Sequence, residues 1–323
     1  MDTDERFEQI YSKIVEENKE ELEKSRQEAK QEIIKIVSII IIGIILFLII
    51  NKVVVVKEIF EKSSGILSLI IIFLIIIILC RIAKNSKILQ YKNKFKMKVI
   101  KSLLNSFEEN IMYFPKEGVK SQDYDEGGFE KYDLFNSEDL MKGVLKNECD
   151  FQMSEVETTD VQEDEEGKKN YITIFHGIFA KIKTPKPFNT TLYLKQDYRD
   201  KNFLNKMISS VSSLEKIRVN LDSQEFEKYF DVYSTDKIIA MQLLTADIMQ
   251  LLINFKKEMK MYYEITIKNN SIYIRFRTGK MFEPVSVFGF SLDKKTIYKY
   301  YKILDFVFSL TDNLINLIKE TEY

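Results

Sequence analysis

Two long apolar runs stand out along the chain: Ile36 to Ile50 and Ser63 to Cys80 hold no charged residue and consist mainly of isoleucine and leucine. The second alone has about the 18 apolar residues expected of a spanning helix; the first reaches that length only if Val53 to Val56 join it across Asn51 and Lys52. Isoleucine is a mediocre helix former in water. In hydrocarbon, however, an unpaired backbone group costs several kcal/mol, and that forces the helix. The pattern therefore predicts a transmembrane helical hairpin at 36–80. A signal peptide is the wrong reading, because more than thirty residues, many of them charged, precede the first run.

Before the runs, Glu5 to Glu32 has no Pro or Gly, and its apolar positions Phe7, Ile10, Ile14, Leu22 and Ala29 form a broken heptad. After them, Ile82 to Met112 places Ile88, Tyr91, Phe95, Val99, Leu103, Phe107 and Ile111 at three- and four-residue steps, which predicts one amphipathic helix. The two helices leave the bilayer side by side and are expected to pair as a stalk.

From Tyr113 the pattern shortens. Tyr124 to Phe129 reads as a loop, and Ser137 with Glu138 and Asp139 as the start of a short helix through Met141. Gly143 to Glu157 suggests two short strands. Tyr171 to Lys183 suggests a longer one with a bulge near Gly177, and Glu155 to Lys169 an exposed acidic loop. Tyr262 to Ile267 and Ile272 to Arg277 form a hairpin turning at Asn269 and Asn270. Asp236 to Phe255 and Lys294 to Lys319 each present one apolar face and read as helices. The expected class is α+β: a membrane hairpin and stalk, then a mixed or antiparallel sheet with flanking helices. The expected boundaries are an acidic helix at 1–35, the hairpin at 36–80, a basic stalk helix at 81–112, and an α+β domain at 113–323, in one piece or two subdomains.

Charge orients the hairpin. Residues 1–35 carry seven basic and eleven acidic side chains, whereas 81–101 carry eight basic ones and no acid. By the positive-inside rule both termini face the cytoplasm. Arg81, Lys84, Lys87, Lys92 and Lys94 could also attract anionic lipid headgroups. Two cysteines, Cys80 and Cys149, suit a reducing compartment rather than a disulfide framework.

Catalytic chemistry is hard to assemble. His176 is the only histidine, so a two-histidine metal site is unavailable and any histidine-based mechanism must pass through this residue. It falls inside a predicted strand and reads as a half-buried packing residue. No Walker sequence, dinucleotide fingerprint or nucleophile elbow is present. Neither a metal nor a cofactor is expected, and no enzyme. Two groups could instead recognise a ligand or partner: Tyr273, Arg275, Arg277 and Lys280 on the hairpin, and Phe226 with Phe230 between Leu221 and Tyr233. The bland alternative pairs Arg275 with Glu264 or Glu283 and places the phenylalanines in the core. Nucleic acid is excluded as a partner by the acidity of 102–323.

The order of several short segments resembles a bacterial family known as domain of unknown function 3137. The residues that carry it are Phe7 with Tyr11, Leu22-Glu23 with Arg26, Ser137-Glu138-Asp139, Ser154-Glu155-Val156, Phe175-His176-Gly177-Ile178-Phe179, Leu221-Asp222-Ser223 with Phe226, Phe230-Asp231-Val232, and Leu243-Leu244-Thr245. The resemblance runs from the N-terminal helix to about Pro284 and implies a two-span protein of the bacterial inner membrane with a cytoplasmic domain and no established activity. His176 stands where the family's pattern would have a basic residue.

The expected function is a membrane-anchored cytoplasmic scaffold or sensor whose partners are the bilayer and either another protein or a second copy. An oligomeric channel or membrane-perturbing effector is the alternative, and a membrane-anchored hydrolase the third.

Overall fold

The computed structural model describes residues 3–52, 87–184, 190–196, 217–284 and 286–320. The second apolar run, Cys80, Arg81 and Lys84 lie outside them. The chain divides into two compact units, one made of Met1–Ile100 with Glu283–Thr296, the other of Lys101–Phe282 with Ile297–Tyr323.

The first unit is built on α1 (Thr3–Lys52), which continues without a break into the first apolar run. At a rise of about 1.5 Å per residue, Ile36 to Ile50 covers roughly 22 Å, short of the ~30 Å hydrocarbon core. Among the described residues no single helix is long and apolar enough to cross a membrane. Against α1 lies α2 (Lys87–Phe95), which passes through a π-helical turn (Lys96–Ile100) into α3 (Lys101–Asn105). The seam of α1 explains its broken heptad: Phe7, Ile14, Leu22 and Ala29 are buried, and Asn18, Ser25 and Arg26 fill the intervening buried positions. Opposite charges pair across it. Lys94 and Lys98 both reach Glu21 at 3.5 and 3.0 Å, and Lys87 reaches Glu28 at 3.2 Å.

The amphipathic pattern of 82–112 does not give one helix. It stops at Asn105, where Ser106 turns its hydroxyl onto the Leu103 carbonyl, and Ile111–Phe114 is strand β1. Phe107 and Ile111 are buried all the same, so the periodicity reported burial correctly and the element wrongly.

The second unit is a nine-stranded antiparallel sheet in the order β1-β2-β3-β4-β9-β8-β5-β7-β6. Its strands are β1, β2 (Leu134–Val144), β3 (Asp150–Glu163), β4 (Lys169–Lys183), β5 (Leu192–Gln196), β6 (Ile217–Arg218), β7 (Phe230–Ser234), β8 (Tyr262–Lys268) and β9 (Ser271–Arg277). The helices are α4 (Ser121–Glu126), α5 (Gln224–Glu227), α6 (Lys237–Leu243), α7 (Ala246–Met259) and α8 (Lys294–Glu320), the last entering this unit at Ile297.

Tyr124 lies within α4, whose end is marked by Gly127 and Gly128, rather than in a loop. The helix expected at Ser137 to Met141 is part of β2: the pairing with β3 slips between Glu138 and Met141, and Asp139 takes φ +62° at that bulge. Instead of two short strands, 143–157 contributes the end of β2 and the start of β3. The acidic loop of 155–169 is mostly β-hairpin, because β3 runs on to Glu163 and only a tight turn through Gly167 separates it from β4. The bulge in β4 falls at Ile174, skipped between Thr158↔Phe175 and Thr159↔Thr173, and not at Gly177. Asp236 to Phe255 breaks at Leu244. Asp236 caps α6 and Thr245 caps α7, each accepting from amides of its own first turn. The two meet at 69°; their apolarity serves the sheet they cover.

The β8–β9 hairpin has the expected two-residue turn, with Asn269 and Asn270 at φ 50° and 61°. Both faces of the sheet are packed. On one, Phe306 of α8 and Phe255 of α7 stack at 4.0 Å over Tyr263 and Phe276, while Phe308 meets Phe151. On the other, α4 and the chain after it bring Tyr124 and Phe129 onto Phe175, Phe179 and Tyr273.

Candidate functional site

Strand alternation puts Tyr273, Arg275 and Arg277 on one face, the face that α4 and residues 127–135 cover. Arg275 is 1% exposed. Its guanidinium pairs with Glu264 on the neighbouring strand and with Glu130 from the covering segment, and donates to the Tyr124 hydroxyl at 2.9 Å. Phe129 lies 4.2 Å beneath its charge. Burial alone would raise the Glu130 carboxyl, but Arg275 outweighs it and holds it below the usual range. Tyr124, desolvated beside this network, is pushed up to about 12. A fully paired interior charge of this kind fixes the sheet to its cover. Arg277 donates at 2.5 Å to the Ile174 carbonyl, the group left over by the β4 bulge. Phe226 and Phe230 stack at 4.9 Å, both essentially unexposed. Tyr273 is buried and donates to Glu126 at 3.1 Å.

Of the basic residues near the apolar runs, Lys87 and Lys94 are engaged with α1, and Lys92 binds Glu283 at 2.7 Å. Lys280 differs in position. With side chains about half exposed, it forms a 3.1 Å pair with Glu138 at the mouth of a cleft of about 280 Å³, lined also by Asn136, Ser137, Glu155, Glu157 and His176.

The sheet register builds this cleft. Glu138 stands opposite Glu155, and Asn136 and His176 both stand opposite Glu157, so polar side chains from three adjacent strands converge where the helical cover ends. His176 Nε2 lies 3.1 Å from Glu155 Oε1, and the other oxygen of Glu155 accepts from the Met281 amide at 2.7 Å. Glu155 thereby joins β3, β4 and the chain leaving β9. Carboxylate oxygens of Glu138, Asp139 and Glu155 lie within 4.8 Å of one another, a spacing that could hold a cation. Each already has a partner: Asp139 accepts from the Tyr113 hydroxyl at 2.5 Å, and Glu138 has Lys280. The Ser137 hydroxyl is turned onto the Glu155 backbone carbonyl at 3.1 Å instead of onto His176. The cleft thus offers two accessible carboxylates, an imidazole and an ammonium, a donor set for a polar ligand bearing both charges.

His176 and Glu155 were visible in the sequence as a lone histidine and an acidic stretch. Their convergence with Lys280 was not, since it depends on the register of three strands and on the path of the chain after β9.

Residues 173–315 match the model of a family described as proteins of unknown function, DUF3137. Over these 143 of its 323 residues the chain is similar to that family. Within this segment fall Phe175 to Phe179 and the motifs from Leu221 to Thr245, whereas Phe7, Arg26, Ser137 and Ser154 lie before it, and the match continues past Pro284. The matched segment supplies most of β4, all of β5 to β9, α5 to α7 and most of α8, and from the cleft His176 and Lys280. No curated protein matches the chain. The crystal structure of the mycobacterial trehalose monomycolate transport factor A, TtfA, is similar over 66% of this chain and 95% of that one, with 8% identity and a TM-score of 0.33.

Proposed function

We propose that this chain is a membrane-anchored binding module, held in the bilayer by 36–50 and 63–80 with both termini cytoplasmic, and presenting the Glu138–His176–Lys280 cleft to a polar ligand or a partner. One observation carries the anchoring. Along α1, Ile34, Val37, Ile39, Ile40, Ile41, Ile42 and Ile45 are all between 45 and 68% exposed. Residues 39 to 42 point in four directions 100° apart, so a groove on one protein could not cover them all, but lipid can. Burying an isoleucine is worth about 1.5–3 kcal/mol. Half of that for seven side chains rivals the ~5–15 kcal/mol stability of a whole domain.

Alkaline extraction of membranes from cells making the full chain tests the anchor. The protein is expected to stay with the bilayer, and Ile41→Lys with Ile42→Lys to release part of it, since a lysine at a span centre costs about 2.5–3.5 kcal/mol on the insertion scale. Recovery of the parent chain in the detergent-free supernatant would overturn the reading. A photo-crosslinking residue at Asn136 then identifies what occupies the cleft.

A further inference from the structure

The segment 283–296 packs on α1 and α2 as a strap, and its course has a direction. Lys94 and Lys98 meet Glu21, Lys87 meets Glu28, and the Lys87 amide donates to Glu32 at 2.5 Å. The two helices are therefore antiparallel, and the Lys87 end of α2 lies where α1 enters the isoleucine run. The strap starts away from that end, with Glu283 bound by Lys96 at 3.1 Å and Lys92 at 2.7 Å. It moves toward it, where Arg26 donates to the Val287 carbonyl at 2.7 Å. Then it turns back: the Tyr11 hydroxyl donates to the Leu292 carbonyl at 2.9 Å, and Lys294 pairs with Glu8 at 2.6 Å. The turn is closed by the Gly289 amide on the Ser286 carbonyl and the Phe288 amide on the Ser286 hydroxyl. Its tip carries two phenylalanines left in the open, Phe288 at 59% and Phe290 at 83% exposed.

We infer that this Ser286–Phe290 tip is a second membrane contact, an aromatic knuckle seated among the lipid headgroups beside the first apolar run. The inference rests on the anchoring proposed above. Ten residues separate Arg26 from Ile36, about 15 Å of helix. The headgroup layer extends roughly 5–7 Å beyond the hydrocarbon. Two extended residues, about 7 Å, and a phenyl ring cover the remaining distance. The stretch of α1 between carries Glu28 and Glu32 as well as Lys30 and Lys35, and Lys87 of α2 is paired with Glu28, so the contact rests on the two rings and not on a net basic surface. The loop thus gains burial of two aromatic rings where water would otherwise wet them.

The chain has no tryptophan, so Phe290→Trp and Ile42→Trp each give a single tryptophan in the full-length protein, excited to the red of the tyrosines. Each variant is reconstituted into vesicles of phosphatidylcholine and phosphatidylglycerol brominated either high on the acyl chain or near its terminus. Emission from Phe290→Trp is expected to be blue-shifted and quenched more by the shallow bromines than by the deep ones, while Ile42→Trp is quenched in the same membranes. Water-like, unquenched emission at position 290 alongside a quenched Ile42→Trp would overturn the knuckle and leave the anchor standing. If neither is quenched, both readings fall. Blue-shifted emission that lipid bromine does not touch would mean that a second protein copy covers the tip, which also overturns the inference.

Discussion

A Cβ built on Gly177 would sit 1.8 Å from the Phe276 carbonyl oxygen and 2.8 Å from the Thr278 amide nitrogen. Beside it, the Gly279 amide donates to the His176 carbonyl at 3.1 Å. Glycine is needed at 177 for this close approach of β9 to β4 and not for an unusual torsion. Gly177→Ala is expected to cost about 2–4 kcal/mol through forced backbone separation, read as a lower unfolding midpoint of the full chain in detergent. An unchanged midpoint would mean that the two strands separate without strain. The irregularity of this strand was legible as a phase shift, but it was assigned to the glycine when the bulge belongs to Ile174. Two paired asparagines were fully legible, since Asn269 and Asn270 tolerate the positive φ of a tight hairpin. Asp139 was not: it was read with Ser137 as a helix start, whereas its φ of +62° and its bond to Tyr113 serve a bulge set by tertiary pairing.

Among the elements, long periodic helices were read most faithfully. The range of α8 (Lys294–Glu320) agrees with the sequence reading within a residue, because its apolar stripe meets no competing signal. Asp236 to Phe255 kept Leu244, Ile248, Leu252 and Phe255 buried but left Met241 exposed, and it broke in two, since Thr245 offers a capping hydroxyl in mid-pattern. The strap shows what periodicity misses altogether: it has no regular structure, yet Glu283 ties it to α2. Burial alone would raise that carboxyl, but Lys92 and Lys96 prevail and hold it below the ordinary range. A depressed folded value adds stability that is present above the unfolded value of about 4.3 and is lost as pH falls through the folded one. Glu283→Gln is therefore expected to weaken the strap by about 1–3 kcal/mol at neutral pH. Hydrogen exchange at residues 286–292 should show this, and the gap from the parent should close as pH drops below about 4. A gap independent of pH would exclude the ion pairs as its source.

On the scale of the molecule, the chain crosses between its two units three times, and 283–296 is the middle return. All the partners of this segment described above, Glu8, Tyr11, Arg26, Lys92 and Lys96, precede residue 101. A fragment of residues 101–323 is accordingly expected to keep slow amide exchange in β3, β4, β8 and β9 while 286–292 exchanges at the rate of an unstructured peptide. Retained protection in that segment would show that the second unit suffices to order it.

The sequence by itself determined the features that depend on local pattern: the two isoleucine-rich runs, the acidic and basic helices flanking them, the β8–β9 hairpin, and the apolar faces of α7 and α8. Side-chain periodicity and turn chemistry act over a few residues, so a window of sequence contains them. Tertiary structure alone decided which polar faces would be covered. Arg275 was one of several candidate surface cations until Glu130, 145 residues away, folded over it. His176 and Lys280 became neighbours only because three strands set their register and the chain beyond β9 turned back across Glu155. Burial and charge pairing depend on proximity in space, and no local pattern encodes which distant segment arrives.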